Sequence, residues 1–260
     1  MRRLARRTGV DTGPSRSHIH VFERRFTAMD GNNETIAGRR QLELLRSPRW
    51  RAMSRVLGWF REPLADDDGC PPEELAAIER RLGAPLPKAL GEWFELLGRR
   101  LAAYGEQPAT PGSVALSEED GTFLAWSDDQ GVMQLWSPPG DDPVAVALLE
   151  GAALPAAPLS AWLCGLTIRS VTTAVQEGRG RSVLGALHPA LRGGVLERCE
   201  ARQRARLEAR YGELPLPALP EPGPLRGDEH TVIRSYEYPD GSGVVWWLTS
   251  SPEAFARIRE

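Results

Sequence analysis

Between Cys70 and Arg99 the chain reads CPPEELAAIERRLGAPLPKALGEWFELLGR, and its prolines, glycines and apolar spacing dictate two short amphipathic helices joined by a tight Leu-Pro turn. Pro71 and Pro72 stand where a helix begins, since proline tolerates the first turn and presets φ there. Glu73 and Glu74 come next, placing carboxylates against the positive end of the helix dipole. Leu75, Ile78 and Leu82 recur at spacings of three and four and form one apolar stripe, with Glu79, Arg80 and Arg81 turned to water. Gly83 is positioned to end this helix. Pro87 opens the next, in which Leu90, Trp93, Phe94 and Leu97 make a second stripe, and Gly98 is expected to close it.

Beyond this helix pair the apolar period changes. Phe123–Trp126 and Val132–Trp136 are short apolar runs separated by Ser-Asp-Asp-Gln-Gly, the signal of a hairpin, and Pro143–Leu148 supplies a third run rich in valine. Leu159 to Gln176 returns to helical spacing, with Leu159, Leu163, Leu166 and Val171 facing inward. Val195 to Tyr211 reads as a charged helix, and the Pro-rich stretch after it, from Gly212 to Gly227, reads as extended. The end of the chain predicts a hairpin, with Val232 and Tyr236 on one strand and Val244–Leu248 on the other. Ser251 then caps a helix whose first residue is Pro252. The expected architecture is α+β: a single domain with a central antiparallel sheet flanked by helices.

The helix pair and the strands after it resemble the SUKH superfamily. Its members open with a helix, an acidic residue ahead of "LG", an "LP" turn and a second, aromatic helix. The matching residues are Ile78, Glu79, Leu82, Gly83, Leu86, Pro87, Trp93, Phe94 and Leu97. Gln130-Gly131, Trp136 and Pro143-Val144 are similar to the family's turn, Trp-bearing strand and "PV" strand. The resemblance covers roughly residues 50–175 and extends to the last thirty. Two departures stand out: Gly98 is followed by Arg99-Arg100-Leu101, and the Pro-rich and charged-helix segment near 195–227 has the look of an insertion. On this reading residues 41–260 form the SUKH-like α+β domain. Residues 1–40, Arg-rich and without periodicity, form a disordered basic arm, and Met29 is a second candidate start.

Charge is segregated along the chain. Residues 1–62 hold 14 basic and 6 acidic side chains, residues 63–180 hold 7 and 18, and residues 181–260 hold 11 of each, which together give the net charge of −3. The section most like the family is strongly acidic, which favours a basic protein partner and argues against nucleic acid. No apolar run is long enough to span a bilayer, the basic start lacks the apolar stretch of a secretory signal, and the three scattered cysteines fit a reducing compartment. The expected localisation is cytoplasmic, with no membrane association.

Catalytic constellations fail one by one. His18 and His20 share one side of an extended segment in the arm, while His188 and His230 stand apart, so no metal-ligand spacing results. Asp66-Asp67-Asp68-Gly69 lacks the alternation of a calcium loop, and Gly178-x-Gly180 lacks the third glycine of a dinucleotide fingerprint. Cys164 lies within an apolar helix with no histidine near it. The expectation is a non-enzymatic chain with no metal and no cofactor.

The candidate contact residues are Trp126, Asp128, Asp129, Gln130, Trp136, Asp141 and Asp142, joined by Glu118, Glu119 and Asp120, all at or beside strand ends. Carboxylates in such turns make a negative rim, and tryptophans between them serve either as core or as interface anchors. The resemblance implies an immunity protein that neutralises a toxin of a bacterial competition system, often a nuclease, by occupying it. The alternative is a regulatory or scaffolding domain of the same fold with an endogenous protein partner.

Overall fold

The computed structural model describes residues 19–21, 39–50, 53, 65–102, 110–127, 131–177, 191–214, 224–228, 230–237 and 242–259. The chain is α+β, with its strands divided between two antiparallel sheets rather than gathered in one. The first sheet is a meander of β2 (Ala115–Leu116), β3 (Phe123–Ser127), β4 (Met133–Ser137), β5 (Val144–Leu149) and β6 (Ala152–Ala153), with β7 (Ala157–Pro158) also paired to β5. The second has the order β1-β8-β12-β11-β10-β9. Its strands are β1 (Ile19–Val21), β8 (Arg192–Cys199), β9 (Gly212–Glu213), β10 (Leu225–Gly227), β11 (Thr231–Glu237) and β12 (Gly243–Thr249).

Among the described residues, three helices with given bounds precede the meander: α1 (Arg39–Arg46), α2 (Pro72–Leu82) and α3 (Lys88–Ala102). α2 forms as its sequence dictates. Pro71 is extended at the N-cap, Leu75 and Ile78 are buried, and Gly83 takes the left-handed cap conformation at φ 70°, which costs a glycine nothing.

α3 runs past Gly98 to Ala102, so the expected stop at this glycine is corrected. The glycine answers a steric demand instead: a Cβ there would lie 2.6 Å from Cys70 Sγ and 3.2 Å from the Phe94 ring. The segment before α2 lies directly on α3, where the Cys70 N–H donates to the Phe94 carbonyl at 2.9 Å. At Gly69 a Cβ would sit 1.7 Å from the Glu95 carbonyl oxygen.

α4 (Leu159–Glu177) is the centre of the molecule. Every residue from Trp162 to Ile168 is buried, the mark of a helix enclosed on all sides. It packs against α3, against β5 and β7 of the first sheet, and against β8 of the second. One core therefore joins α2, α3, the inner face of the meander, α4 and one face of the second sheet, through Leu225, Val232 and Leu248. The other face of that sheet carries a smaller core. There Leu196, Ile233, Val245 and Trp247 meet Leu207 of α5 (Ala201–Arg210) and Ile258 of α6 (Pro252–Arg259). α6 starts as expected, with Ser251 Oγ accepting the Ala254 N–H at 3.1 Å.

Two further expectations are corrected. Val195–Tyr211 is not one helix: its first part belongs to β8, paired on both sides, and only Ala201–Arg210 is helical. Pairing with β1 and β12 overrides the local pattern, as tertiary context does for strands. The described residues of 195–227 supply strands of the second sheet and a helix packed on it. The folded body also begins before residue 41. Ile19–Val21 pairs with Gly194–Leu196 as an edge strand, a run too short for periodicity to reveal. The rest of the arm, apart from Arg39 and Arg40 in α1, lies outside the described residues.

Candidate functional site

The residues of the helix pair that carry the family resemblance are structural. The Glu79 carboxylate accepts the Leu86 N–H at 3.0 Å, tying the end of α2 to the Leu-Pro turn, while its carbonyl takes the Gly83 N–H. Ile78, Leu86, Pro87, Trp93, Phe94 and Leu97 are buried, and Leu82 is half-buried against the core. The Trp93 indole N–H donates to Thr167 Oγ1 at 3.1 Å, which joins α3 to α4.

Asp141 and Asp142 are not free rim charges. Their turn clamps two helix starts. The Gly140 and Asp141 carbonyls accept the Lys88 and Ala89 N–H groups, each at 2.9 Å, taking up amides that the first turn of α3 leaves without an intrahelical partner. The Asp142 carboxylate accepts the Ser160 N–H at 2.9 Å and its hydroxyl at 2.7 Å, capping α4. Asp141 pairs with Lys88 and Arg49, and Lys88, followed by Arg49, holds its carboxyl below the usual range. Arg49 continues to Glu92 at 2.8 Å, and Glu92 also accepts the Trp50 indole N–H. Asp128, Asp129 and Gln130 lie outside the described residues.

The two tryptophans of the hairpin part company through a β-bulge. Leu124 opposes Trp136 and Trp126 opposes Leu135, so Ala125 is the extra residue. Strict alternation from Phe123 would turn Trp126 outward; the bulge turns Ala125 and Trp126 inward together, and both are buried. Trp136 keeps the outward parity. It stands in a row across four strands with Ala115, Leu124 and Val146. Gln134 and Leu148 pair in the next row, and Gln134 Oε1 accepts the Trp136 indole N–H at 3.1 Å, fixing the ring.

Val144 lies at the edge of the same face and is 59% exposed. A groove of about 370 Å³ opens here, floored by Trp136, Val146 and Leu148, with Pro138 and Val144 to one side and the turn 117–122 to the other. Asp120 stands on that turn. Its Oδ1 accepts the Thr122 N–H at 3.0 Å and hydroxyl at 2.7 Å, and Thr122, followed by Ser117, keeps the carboxyl below its ordinary range. Val144, Val146 and Leu148 had a readable signal: Pro143–Leu148 is apolar at both parities, so one apolar set must face outward.

In the second sheet, Trp247 is core against Phe255, with ring centroids 5.4 Å apart. Trp246, its neighbour on the opposite side, meets Tyr236 edge-on at 5.8 Å and lies under the Arg234 guanidinium at 5.8 Å. Burial, followed by the nearby Arg169, lowers Arg234 to about 10.

Among the described residues no group of His, Cys, Asp and Glu is placed to hold a metal ion. Burial pushes the Cys70 and Cys164 thiols up to about 12, which keeps them protonated and non-nucleophilic. No described helix is long and apolar enough to cross a membrane. The fold and surface together define an α+β protein with an apolar outer sheet face. No protein-family model, curated protein or solved structure matches the chain.

Proposed function

We propose that this chain is a non-catalytic, SUKH-like protein-binding domain that acts in the cytoplasm as an immunity protein, neutralising a basic nuclease toxin of a bacterial competition system by direct binding. One observation carries the reading: from Leu101 to Ile168, the stretch that contains the whole meander, there is no Lys, Arg or His, against nine Asp and Glu. Asp141 and Asp142 are engaged with Arg49, Lys88 and Ser160, and the acidity of the remaining stretch repels a phosphate backbone and attracts the cationic cleft that a nuclease needs to bind one. The helix pair supports the same reading, since Glu79 ties the "LG" and "LP" elements together as a motif residue would.

The test is co-expression with a nuclease toxin domain encoded beside this gene, joined to stopped-flow association at rising ionic strength. Protection is expected, with an association rate that falls about tenfold or more between low and high salt. Absence of protection, or a rate indifferent to salt, overturns the proposal.

A further inference from the structure

An antiparallel sheet with one face on the core ordinarily shows polar side chains on the other. The meander departs from this. Its outward positions Leu124, Trp136, Val144, Val146 and Leu148 are apolar, the facing pair Ser127 and Gln134 is polar, and none is charged. None of these five apolar residues belongs to the core that covers the inner face. The second sheet, by contrast, has a core on each of its faces. An apolar face left half-open, with a fixed indole beside a side-chain-sized groove, has the anatomy of an interface centre.

Its electrostatics select the occupant. The carboxylate nearest the groove is Asp120, with Glu118 and Glu119 exposed on the same turn, and the meander has no cation of its own to neutralise them. We infer that this face seats a basic segment of a partner protein, with one apolar side chain in the groove against Trp136, Val146 and Leu148 and an adjacent Arg or Lys reaching Asp120. The inference rests on the protein-binding reading above and assigns its contact surface. A second copy of this chain would bring the same carboxylates against themselves across a two-fold axis, which disfavours self-association here.

The test is selection of a displayed library of random peptides on the immobilised full chain, then fluorescence anisotropy of individual synthetic peptides. Enriched peptides should combine net positive charge with a large apolar residue. Val144→Asp, at an exposed position, should weaken them about thirtyfold, the loss expected when a charge replaces an apolar side chain lining a groove that binding desolvates. Asp120→Lys should slow their association about tenfold, and more at low salt than at high. Val144→Asp should melt with the parent, and Asp120→Lys, which loses its bonds to Thr122, should melt a few degrees lower while staying folded at the assay temperature, which separates lost contact from lost fold.

Enrichment of neutral or acidic peptides, or affinities untouched by both variants, overturns the assignment. So does a dimer in analytical ultracentrifugation that Val144→Asp dissociates, or pelleting with phosphatidylcholine vesicles that it abolishes, because the occupant is then a second copy or a membrane. The two proposals fail separately. If both variants protect against a neutralised toxin as well as the parent does, the face is wrong and the function stands. If basic apolar peptides bind as described but no neighbouring toxin is neutralised, the function falls and the face stands.

Discussion

Two glycines seven residues apart in α3 should respond to alanine with opposite signs. In a helix interior Gly→Ala gains about 0.8–1 kcal/mol, because glycine loses more backbone freedom on folding. At Gly91 a Cβ would meet nothing within 4 Å, so the full gain should appear. At Gly98 the same gain is set against a Cβ lying 2.6 Å from Cys70 Sγ and 3.2 Å from the Phe94 ring, where carbon contacts normally stand at about 3.5–4 Å. The sulfur has little freedom to retreat: Cys70 is 4% exposed and its N–H is bonded to the Phe94 carbonyl. Overpacking of this kind costs about 1–3 kcal/mol, which leaves a net loss of about 0–2 kcal/mol. Urea and thermal melts should therefore place Gly91→Ala above the parent by about 2–4 °C and Gly98→Ala at or below it. In the background Cys70→Ala, Gly98→Ala should become less destabilising or stabilising, because the closest atom it meets is gone and only the milder contact with the Phe94 ring remains. Equal stabilisation by the two single substitutions, or no rescue in the double variant, would refute the packing argument.

Asp142→Ala should cost about 1–2 kcal/mol in urea melts by uncapping α4, whereas a free rim carboxylate would move stability by less than about 0.5 kcal/mol. Because the folded protein holds the Asp141 carboxyl below its usual range, its contribution is complete above the unfolded value near 3.9 and is lost as pH falls through the lower folded value. The stability gap between parent and Asp141→Asn should accordingly persist at neutral pH and close on acidification below about pH 4; a gap that widens instead contradicts the assignment. Native protein at mildly alkaline pH should resist iodoacetamide at Cys164 and react on denaturation, as mass spectrometry would show. Trp93→Ala should cost about 3–5 kcal/mol while leaving peptide binding at the meander intact in whatever fraction stays folded.

Much of the fold was legible because local chemistry and final structure agree. Pro72, Glu73 and Gly83 bound α2, and Ser251 and Pro252 start α6, each for reasons confined to a few neighbouring residues. The misses lie where the decision is non-local. Gly98 has the look of a helix stop until Cys70 is known to lie against it. Arg192–Cys199 is a strand because two other strands flank it. The β3 bulge, which decides that Trp136 rather than Trp126 faces outward, falls at Ala125, a residue with no turn or glycine signal. For the candidate site, the acidic turns were visible as composition, but nothing local tells a capping aspartate such as Asp142 from a solvated one. The apolar outer face was visible in the valine-rich run of β5, and only the register joins it to Trp136.

The position of α4 between two sheets also sets an order of events on the ribosome. The first sheet and α4 are complete in sequence at Glu177, but β8, the strand that covers another flank of this helix, lies entirely beyond that point. The second sheet is complete only at Thr249, 72 residues after Glu177 (249 − 177), so translation at roughly 5–20 residues per second leaves that flank waiting about 4–14 s for its partner sheet. A nascent chain stalled in this window carries Trp162, Leu163 and Leu166 on a helix with part of its cover unmade, so its yield in cells should depend on chaperone capacity more than its finished stability would suggest.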